Sequence, residues 1–97
     1  MKQNNTLSEI KKRALPVLRK AGIKRAAIFG SYARGEQKKK SDLDILVELP
    51  KGMSLLGLVE LEDNLKGVLK KKVDLITYKS IHPLLEDSIL EDQIPIL

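Results

Sequence analysis

The 97-residue sequence predicts an α/β domain of the α+β kind, with a small mixed β-sheet of about three strands packed with about four helices. Two observations support this fold class. Apolar residues at helical spacing alternate along the chain with short apolar runs of strand length, and glycine, proline or serine separates one element from the next. No internal repeat or linker interrupts the pattern, so residues 1–97 are predicted to form one domain.

The first half of the chain predicts a helix, a strand and a short helix. Thr6 and Glu9 have the spacing of a capping box, and apolar residues then recur every three or four positions. Gly22 is a natural stop for this helix, because glycine readily adopts the left-handed backbone of a helix end. Residues 24–29 then predict a buried strand, and residues 31–37 predict a short helix.

The second half repeats this alternation twice. Residues 43–49 form an apolar run of strand length that ends at Pro50. Ser54 can cap a third helix, whose apolar face consists of leucine and valine. Residues 73–78 predict a third strand, and Ser80 can cap a last helix.

Composition excludes several classes of protein. The chain has no cysteine, which excludes a disulfide framework and a thiolate metal site, and its single histidine disfavours a histidine-based zinc site. No apolar run approaches the roughly 20 residues of a membrane span. The first residues lack the apolar segment of a signal peptide, so the sequence predicts a cytoplasmic protein with no membrane contact.

The net charge of +5 conceals an asymmetry between the two parts of the chain. Residues 1–40 contain twelve lysines and arginines against two glutamates, whereas residues 41–97 contain six against eleven acidic residues. The basic part could attract nucleic acid, a nucleotide polyphosphate or an acidic protein, or it could be a solvated face. No aromatic residue is interleaved among the lysines, which disfavours a nucleic-acid partner.

A glycine–serine turn between the first strand and the short helix is a candidate phosphate site. Gly30 lets a ligand approach the backbone closely, and Ser31 begins a helix whose free N–H groups suit an anion. Arg34, one turn along, can add a fork of donors. The alternative is that Gly30 only makes a turn and Ser31 only caps the helix. A Walker A loop is excluded, because Glu36 follows where that motif requires lysine.

Three aspartates form a candidate metal site. Asp42 and Asp44 alternate with apolar residues, so they point to one face of a strand, where two like charges repel unless a cation lies between them. Carboxylate ligands without histidine or cysteine select Mg²⁺ or Mn²⁺. Asp74 repeats the pattern in the third strand and reaches the same site if the two strands are neighbours. The alternative for Asp42 is simple solvation at the strand entry.

Together these segments resemble the minimal nucleotidyltransferases (MNT proteins) of the polymerase-β-like nucleotidyltransferase superfamily. The family motif is Gly-Ser, then Arg-Gly, then Ser-Asp-x-Asp in a strand, then a third aspartate in a later strand. The matching residues are Gly30, Ser31, Arg34, Gly35, Ser41, Asp42, Asp44 and Asp74. The resemblance covers nearly the whole chain and includes all three carboxylates.

The resemblance implies the polymerase-β-like fold and a transfer reaction that uses ATP and Mg²⁺. Two Mg²⁺ ions are implied, with Mn²⁺ as an alternative. By analogy, Ser31 and its turn hold the β- and γ-phosphates, and Asp42 and Asp44 bind metal. Asp74 is implied as the general base and as a further metal ligand.

The resemblance also implies a protein partner. MNT proteins act as antitoxins paired with an all-helical HEPN toxin, and the implied reaction is transfer of AMP to a toxin tyrosine, within a homo- or hetero-oligomer. Two alternatives stay open. The chain could be a non-catalytic antitoxin that binds nucleotide and neutralises its partner by binding, or it could transfer nucleotides to RNA or a small molecule.

Overall fold

The computed structural model describes residues 7–36, 38 and 42–97, which form a layered α+β fold. The capping-box prediction at Thr6 lies outside the described residues. The described helices and strands are, in chain order, α1 (Leu7–Lys20), β1 (Arg25–Phe29), α2 (Ser31–Arg34), β2 (Leu43–Glu48), α3 (Leu55–Leu69), β3 (Val73–Thr77), a 3₁₀ turn (Tyr78–Ser80), α4 (Pro83–Asp92) and β4 (Ile94–Pro95).

The strands form one mixed sheet in the order β3-β2-β1-β4. Strand β1 runs antiparallel to both β2 and β4, whereas β2 and β3 run parallel. The N-terminal ends of β2 and β3 therefore lie at the same end of the sheet as the C-terminal end of β1. The predicted phosphate turn follows β1, and the predicted carboxylates lie at or near the starts of β2 and β3. This topology therefore brings the turn and the carboxylates together at one end of the sheet.

Helices α1 and α3 pack against each other and cover one face of the sheet. Their core contacts follow from the apolar periodicity, since Leu61, Leu65 and Leu69 lie on one face of α3 and are buried. On β2, the buried residues that meet these helices alternate along the strand as predicted. They are Leu43, Ile45 and Val47.

The other face of the sheet carries the carboxylates and is partly covered by α4, which contacts β1. Phe29 and Leu46 are buried on this face. At the end of the sheet away from the carboxylates, the guanidinium carbon of Arg25 lies 4.0 Å from the ring centroid of Tyr78. The Tyr78 hydroxyl donates a 3.0 Å hydrogen bond to Gln93 Oε1, next to β4.

The sheet has a fourth strand that the sequence did not predict. Strand β4 has two residues, one of them proline, and it pairs with Ala27 and Ile28 at the edge of the sheet. Proline lacks an N–H and is tolerated in a sheet mainly at edges, so this short segment carries no strand pattern of its own. Tertiary pairing with β1 creates it.

The prediction that Ser80 caps the last helix is wrong. Helix α4 begins at Pro83, and His82 is its N-cap, with Nδ1 accepting a 3.1 Å hydrogen bond from the Leu84 N–H. Proline is favoured at the first helical position, because its missing N–H would have no partner there. Ser80 Oγ instead lies 2.7 Å from Thr77 Oγ1.

The short second helix is one turn long, because Gly35 ends it in the left-handed conformation with φ 72°. By contrast, the predicted cap of α3 is confirmed, since Ser54 Oγ accepts a 3.2 Å hydrogen bond from the Gly57 N–H. Across the described part of the chain, helices are too short or too polar to cross a membrane.

Candidate active site

The strand register brings the predicted site residues of three segments together. Asp44 in β2 is paired with Phe29 of β1 on one side and with Asp74 of β3 on the other. Paired residues on neighbouring strands point to the same face of a sheet, so the two aspartates are direct cross-strand neighbours. The condition under which Asp74 reaches the site, that β3 lies beside β2, is therefore met.

Gly30 follows Phe29 and lies against the Asp44 side chain. A Cβ atom built on Gly30 would lie 3.2 Å from Asp44 Cγ and closer still to Asp44 Oδ2. Gly30 also has φ 75° and ψ −150°, a backbone conformation that is essentially restricted to glycine. Both the fold of the turn and the approach of the carboxylate thus require a residue without a side chain.

Ser31 is the first residue of α2, with Gly30 at the N-cap. The first N–H groups of a helix have no partner within it, so the turn presents free donors. Ser31 is half-buried as a residue, and its hydroxyl makes no hydrogen bond to any other residue that the structure describes. Because α2 has four residues, any anion at this turn would be held by individual N–H and hydroxyl donors rather than by a long helix dipole.

Arg34 lies at the exposed rim of the site. Its Nε donates a 2.9 Å hydrogen bond to Glu36 Oε1, and this contact is the largest cause of the raised pKa of Arg34. The charges of Asp92 and Asp44 act on the guanidinium in the same direction. Arg34, the predicted phosphate-binding residue, is therefore close enough to Asp44 for the carboxylate charge to raise its pKa, but its Nε is already hydrogen-bonded to Glu36.

Asp44 is the electrostatic centre of the site. Partial burial raises the pKa of its carboxyl first, and the negative charges of Asp74 and Asp42 raise it further. Arg34 acts in the opposite direction but does not cancel the increase. Asp42 lies directly before β2 and is exposed, as is Asp74. The carboxylates of Asp42 and Asp74 thus place concentrated negative charge beside the half-buried side chain of Asp44.

The chemistry of these residues fits a divalent cation. Carboxylate oxygens are the ligands that Mg²⁺ prefers, and a cation between the aspartates would relieve the repulsion that raises the pKa of Asp44. Among residues 7–36, 38 and 42–97, no three acidic or histidine side chains are arranged as a ready-made metal cluster. The charge pattern, rather than a formed cage of ligands, is what favours a cation.

Two contacts of the site were not predicted from the sequence. Lys71 Nζ donates a 3.2 Å hydrogen bond to Tyr32 Oη in α2, and the Lys72 carbonyl accepts a 2.9 Å hydrogen bond from the Leu43 N–H. The run of three lysines before β3 is typical of a solvated helix end, which hides both contacts. Tyr32 itself is buried in the core.

Comparison with known proteins identifies the family. The nucleotidyltransferase domain family matches residues 7–96. A relative from Methanocaldococcus jannaschii, provisionally named a protein adenylyltransferase, is 57% identical over 94% of this chain and 98% of its own length. The protein adenylyltransferase MntA of Thermococcus cleftensis is 39% identical over 73% of this chain and 72% of its own length.

Solved structures agree. A structure provisionally described as a minimal nucleotidyltransferase is 34% identical and superposes with a TM-score of 0.83 over 97% of this chain and 96% of that one. A toxin–antitoxin crystal structure with AMP-PNP is 25% identical, with a TM-score of 0.77 over 90% and 72% of the two chains.

A complex of a tri-AMPylated HEPN toxin from Shewanella oneidensis with its MNT antitoxin shares the fold at 21% identity. Its TM-score is 0.71, over 93% of this chain and 71% of that one. The expected polymerase-β-like fold is confirmed by these neighbours. With a match along residues 7–96 and relatives named as protein adenylyltransferases, the chain belongs to the nucleotidyltransferase domain family and is a nucleotidyltransferase.

Proposed function

We propose that this protein transfers AMP from ATP to a tyrosine hydroxyl of a HEPN-type toxin and thereby acts as the antitoxin of the pair. The observation that carries the proposal is the register of Asp44 with Asp74 beside the Gly30 turn. This arrangement puts a cluster of carboxylates next to free backbone donors, and metal-assisted transfer of a nucleotide needs both.

The Gly30–Ser31 turn would hold the β- and γ-phosphates of ATP. Its backbone N–H groups and the Ser31 hydroxyl are donors without partners among the described residues. Arg34 would add charge-assisted hydrogen bonds once its guanidinium leaves Glu36 for the triphosphate. The similarity to a toxin–antitoxin structure with AMP-PNP supports an adenine nucleotide as the substrate.

Asp42 and Asp44 would hold Mg²⁺, with Asp74 as a further ligand and Mn²⁺ as a substitute. When bound, the metal would neutralise charge on the triphosphate and on the leaving group. The chain contributes the half-buried position of Asp44, where two neighbouring carboxylates oppose its ionisation. A cation would therefore favour the ionised form of Asp44 and bind more tightly as the carboxyl loses its proton.

Asp74 would act as the general base. Its exposed carboxylate would take the proton from the tyrosine hydroxyl as the hydroxyl oxygen bonds to the α-phosphorus of ATP. The bond between the α-phosphorus and the bridging oxygen breaks, and pyrophosphate leaves with that electron pair. The products are an AMP-modified tyrosine, pyrophosphate and a proton on Asp74.

A protein acceptor is favoured by the neighbouring complexes and by the surface of the chain. The MNT antitoxin of similar fold is bound to a tri-AMPylated HEPN toxin. In this chain, Leu55 and Leu56 are each 76% exposed at the start of α3, next to the half-exposed Val59. Contiguous exposed apolar side chains are typical of surfaces that meet a protein partner. The same observation favours a second candidate, in which the protein neutralises the toxin by binding alone.

ATP labelled at different phosphates would test the proposal. The protein is incubated with Mg²⁺, a purified HEPN toxin and ATP carrying label on either the α- or the γ-phosphate. We expect label on the toxin only from α-labelled ATP. This label should be absent when the acceptor tyrosine is changed to phenylalanine, which has no hydroxyl group. A toxin that is inhibited but carries no label would support neutralisation by binding.

A further inference from the structure

We infer that Tyr32 and Lys71 form a brace that positions the phosphate turn relative to the carboxylate strands, with Lys71 as a positioning residue for nucleotide binding. The inference rests on the proposed function of the Gly30–Ser31 turn. It assigns a role to two residues that lie outside the motif, and it concerns how the site is held together.

Tyr32 anchors α2 in the core. It directly follows Ser31, and its residue is only 2% exposed. The hydroxyl of this buried side chain accepts a 3.2 Å hydrogen bond from Lys71 Nζ, which also lies 5.1 Å from the ring centroid. A buried tyrosine hydroxyl needs a polar partner, and an ammonium group supplies both a charge-assisted bond and a cation–π contact.

Lys71 belongs to a three-lysine segment that touches each part of the site. Lys70 ends α3 in a left-handed conformation with φ 56°, which turns the chain toward β3. The carbonyl of Lys72 accepts a 2.9 Å hydrogen bond from the N–H of Leu43, the residue between Asp42 and Asp44. Residues 70–72 therefore contact α2 through a side chain and β2 through the backbone, three residues or fewer before β3 begins.

The short length of α2 makes this brace important. A helix of four residues has little hydrogen bonding of its own, so its position depends on what its side chains contact. Arg34 is exposed and Ser31 is half-buried, whereas Tyr32 is fully buried and reaches across to the opposite segment. Loss of the Lys71 contact would leave the buried hydroxyl without this partner and allow the turn to shift away from Asp44.

Matched lysine variants test the brace. Calorimetry with AMP-PNP and Mg²⁺ compares Lys71→Met, which keeps the apolar stem, with Lys72→Met, whose exposed side chain can change while its carbonyl bond remains. We expect Lys71→Met to weaken AMP-PNP binding by about three- to tenfold, the net value of one ordinary hydrogen bond, because the lost bond acts on the nucleotide only through the position of the turn. Lys72→Met should stay within about twofold of wild type, and Lys71→Arg should restore most of the loss.

A double-mutant cycle separates positioning from general stability. In a Tyr32→Phe background, Lys71→Met should have little further effect on AMP-PNP affinity, because the bond is already absent. Amide exchange at Arg34 and Glu36, whose N–H groups donate hydrogen bonds to the carbonyls of Gly30 and Ser31, should accelerate in Lys71→Met and not in Lys72→Met. Equal affinities for the two methionine variants, or additive effects with Tyr32→Phe, would overturn the brace. A wild-type protein that binds no AMP-PNP would instead overturn the proposed function, and the brace with it.

Discussion

Gly30 and Asp44 fit together so closely that a single added carbon at position 30 would collide with the carboxylate. The contact joins the phosphate turn after β1 to the central carboxylate of β2, and the register of β2 with β3 extends it to Asp74. The turn and the carboxylates therefore form one unit, in which a change in the turn moves the Asp44 carboxylate.

Gly30→Ala should reduce both stability and nucleotide binding. Its methyl group would displace the Asp44 carboxylate, and the positive φ adds backbone strain of about 1–3 kcal/mol. Gly35→Ala is the control, because Gly35 also has a positive φ but nothing lies within 4 Å of its added Cβ. Thermal unfolding and AMP-PNP calorimetry would measure the two effects.

The clash with Asp44 can be separated from backbone strain. In an Asp44→Ala background, Gly30→Ala should cost less stability than it does in wild type, since the carboxylate is gone while the strain remains. An equal cost in both backgrounds would contradict the close contact.

Asp44→Asn should stabilise the metal-free protein at neutral pH. The pKa of Asp44 is higher in the folded chain than in the unfolded chain, so its ionised form lowers the free energy of unfolding as the pH rises through the raised pKa. We expect a gain of a few degrees in Tm at pH 7. The gain should shrink as the pH falls and vanish at about pH 3, below the ordinary aspartate pKa of about 4, where the carboxyl is protonated in both the folded and the unfolded chain.

Circular dichroism melts across this pH range would measure the effect. Asp63→Asn, on the exposed side of α3, serves as the control for loss of one negative charge. If Asp44→Asn gave the same gain at about pH 3 as at pH 7, the raised pKa would not be its cause.

Metal binding should depend on Asp42 and Asp44, the carboxylates at the start of β2. Titration with Mn²⁺, followed by electron paramagnetic resonance in the presence of AMP-PNP, should show weaker binding for Asp42→Asn and Asp44→Asn. A loss of about tenfold or more is expected, because each change replaces an anionic ligand with a neutral one. Asp63→Asn should bind Mn²⁺ as wild type does, and equal binding by all three variants would place the metal elsewhere.

Ser31→Ala should weaken AMP-PNP binding by about 0.5–1.5 kcal/mol, the net value of one hydrogen bond. Ser54→Ala is the matched control, because it removes the hydroxyl that caps α3 and should cost about 0.5–2 kcal/mol of stability without changing nucleotide affinity. Calorimetry on both variants would check this. The reverse pattern would return Ser31 to a purely structural role.

The sequence predicted the parts of the candidate site that depend on local pattern. Gly30 ends a strand, and Asp44 and Asp74 interrupt two apolar runs, so each was visible within a few residues of chain. The pairing of β2 with β3 stayed a condition at the level of the sequence, and the structure shows it to be parallel, as is usual for strands joined through a helix. The features that escaped prediction are those created by contacts between distant segments.

Three such features illustrate the limit. Strand β4 exists only because β1 offers an edge, and Lys71 is indistinguishable in sequence from its neighbours until Tyr32 is placed beside it. His82 displaced Ser80 as the cap of α4 because the chain first makes a 3₁₀ turn. None of these leaves a periodic signal along the chain, since each is decided by tertiary packing.

The intact mass of a HEPN toxin after incubation with this protein, ATP and Mg²⁺ tests the central claim most directly. Wild-type protein should add one or more AMP units to the toxin. Asp74→Asn should bind AMP-PNP and the toxin but add none, because nothing accepts the hydroxyl proton. Transfer by Asp74→Asn at the wild-type rate would contradict the assignment of the base. A toxin that stays unmodified although the wild-type protein binds nucleotide would contradict the proposed reaction.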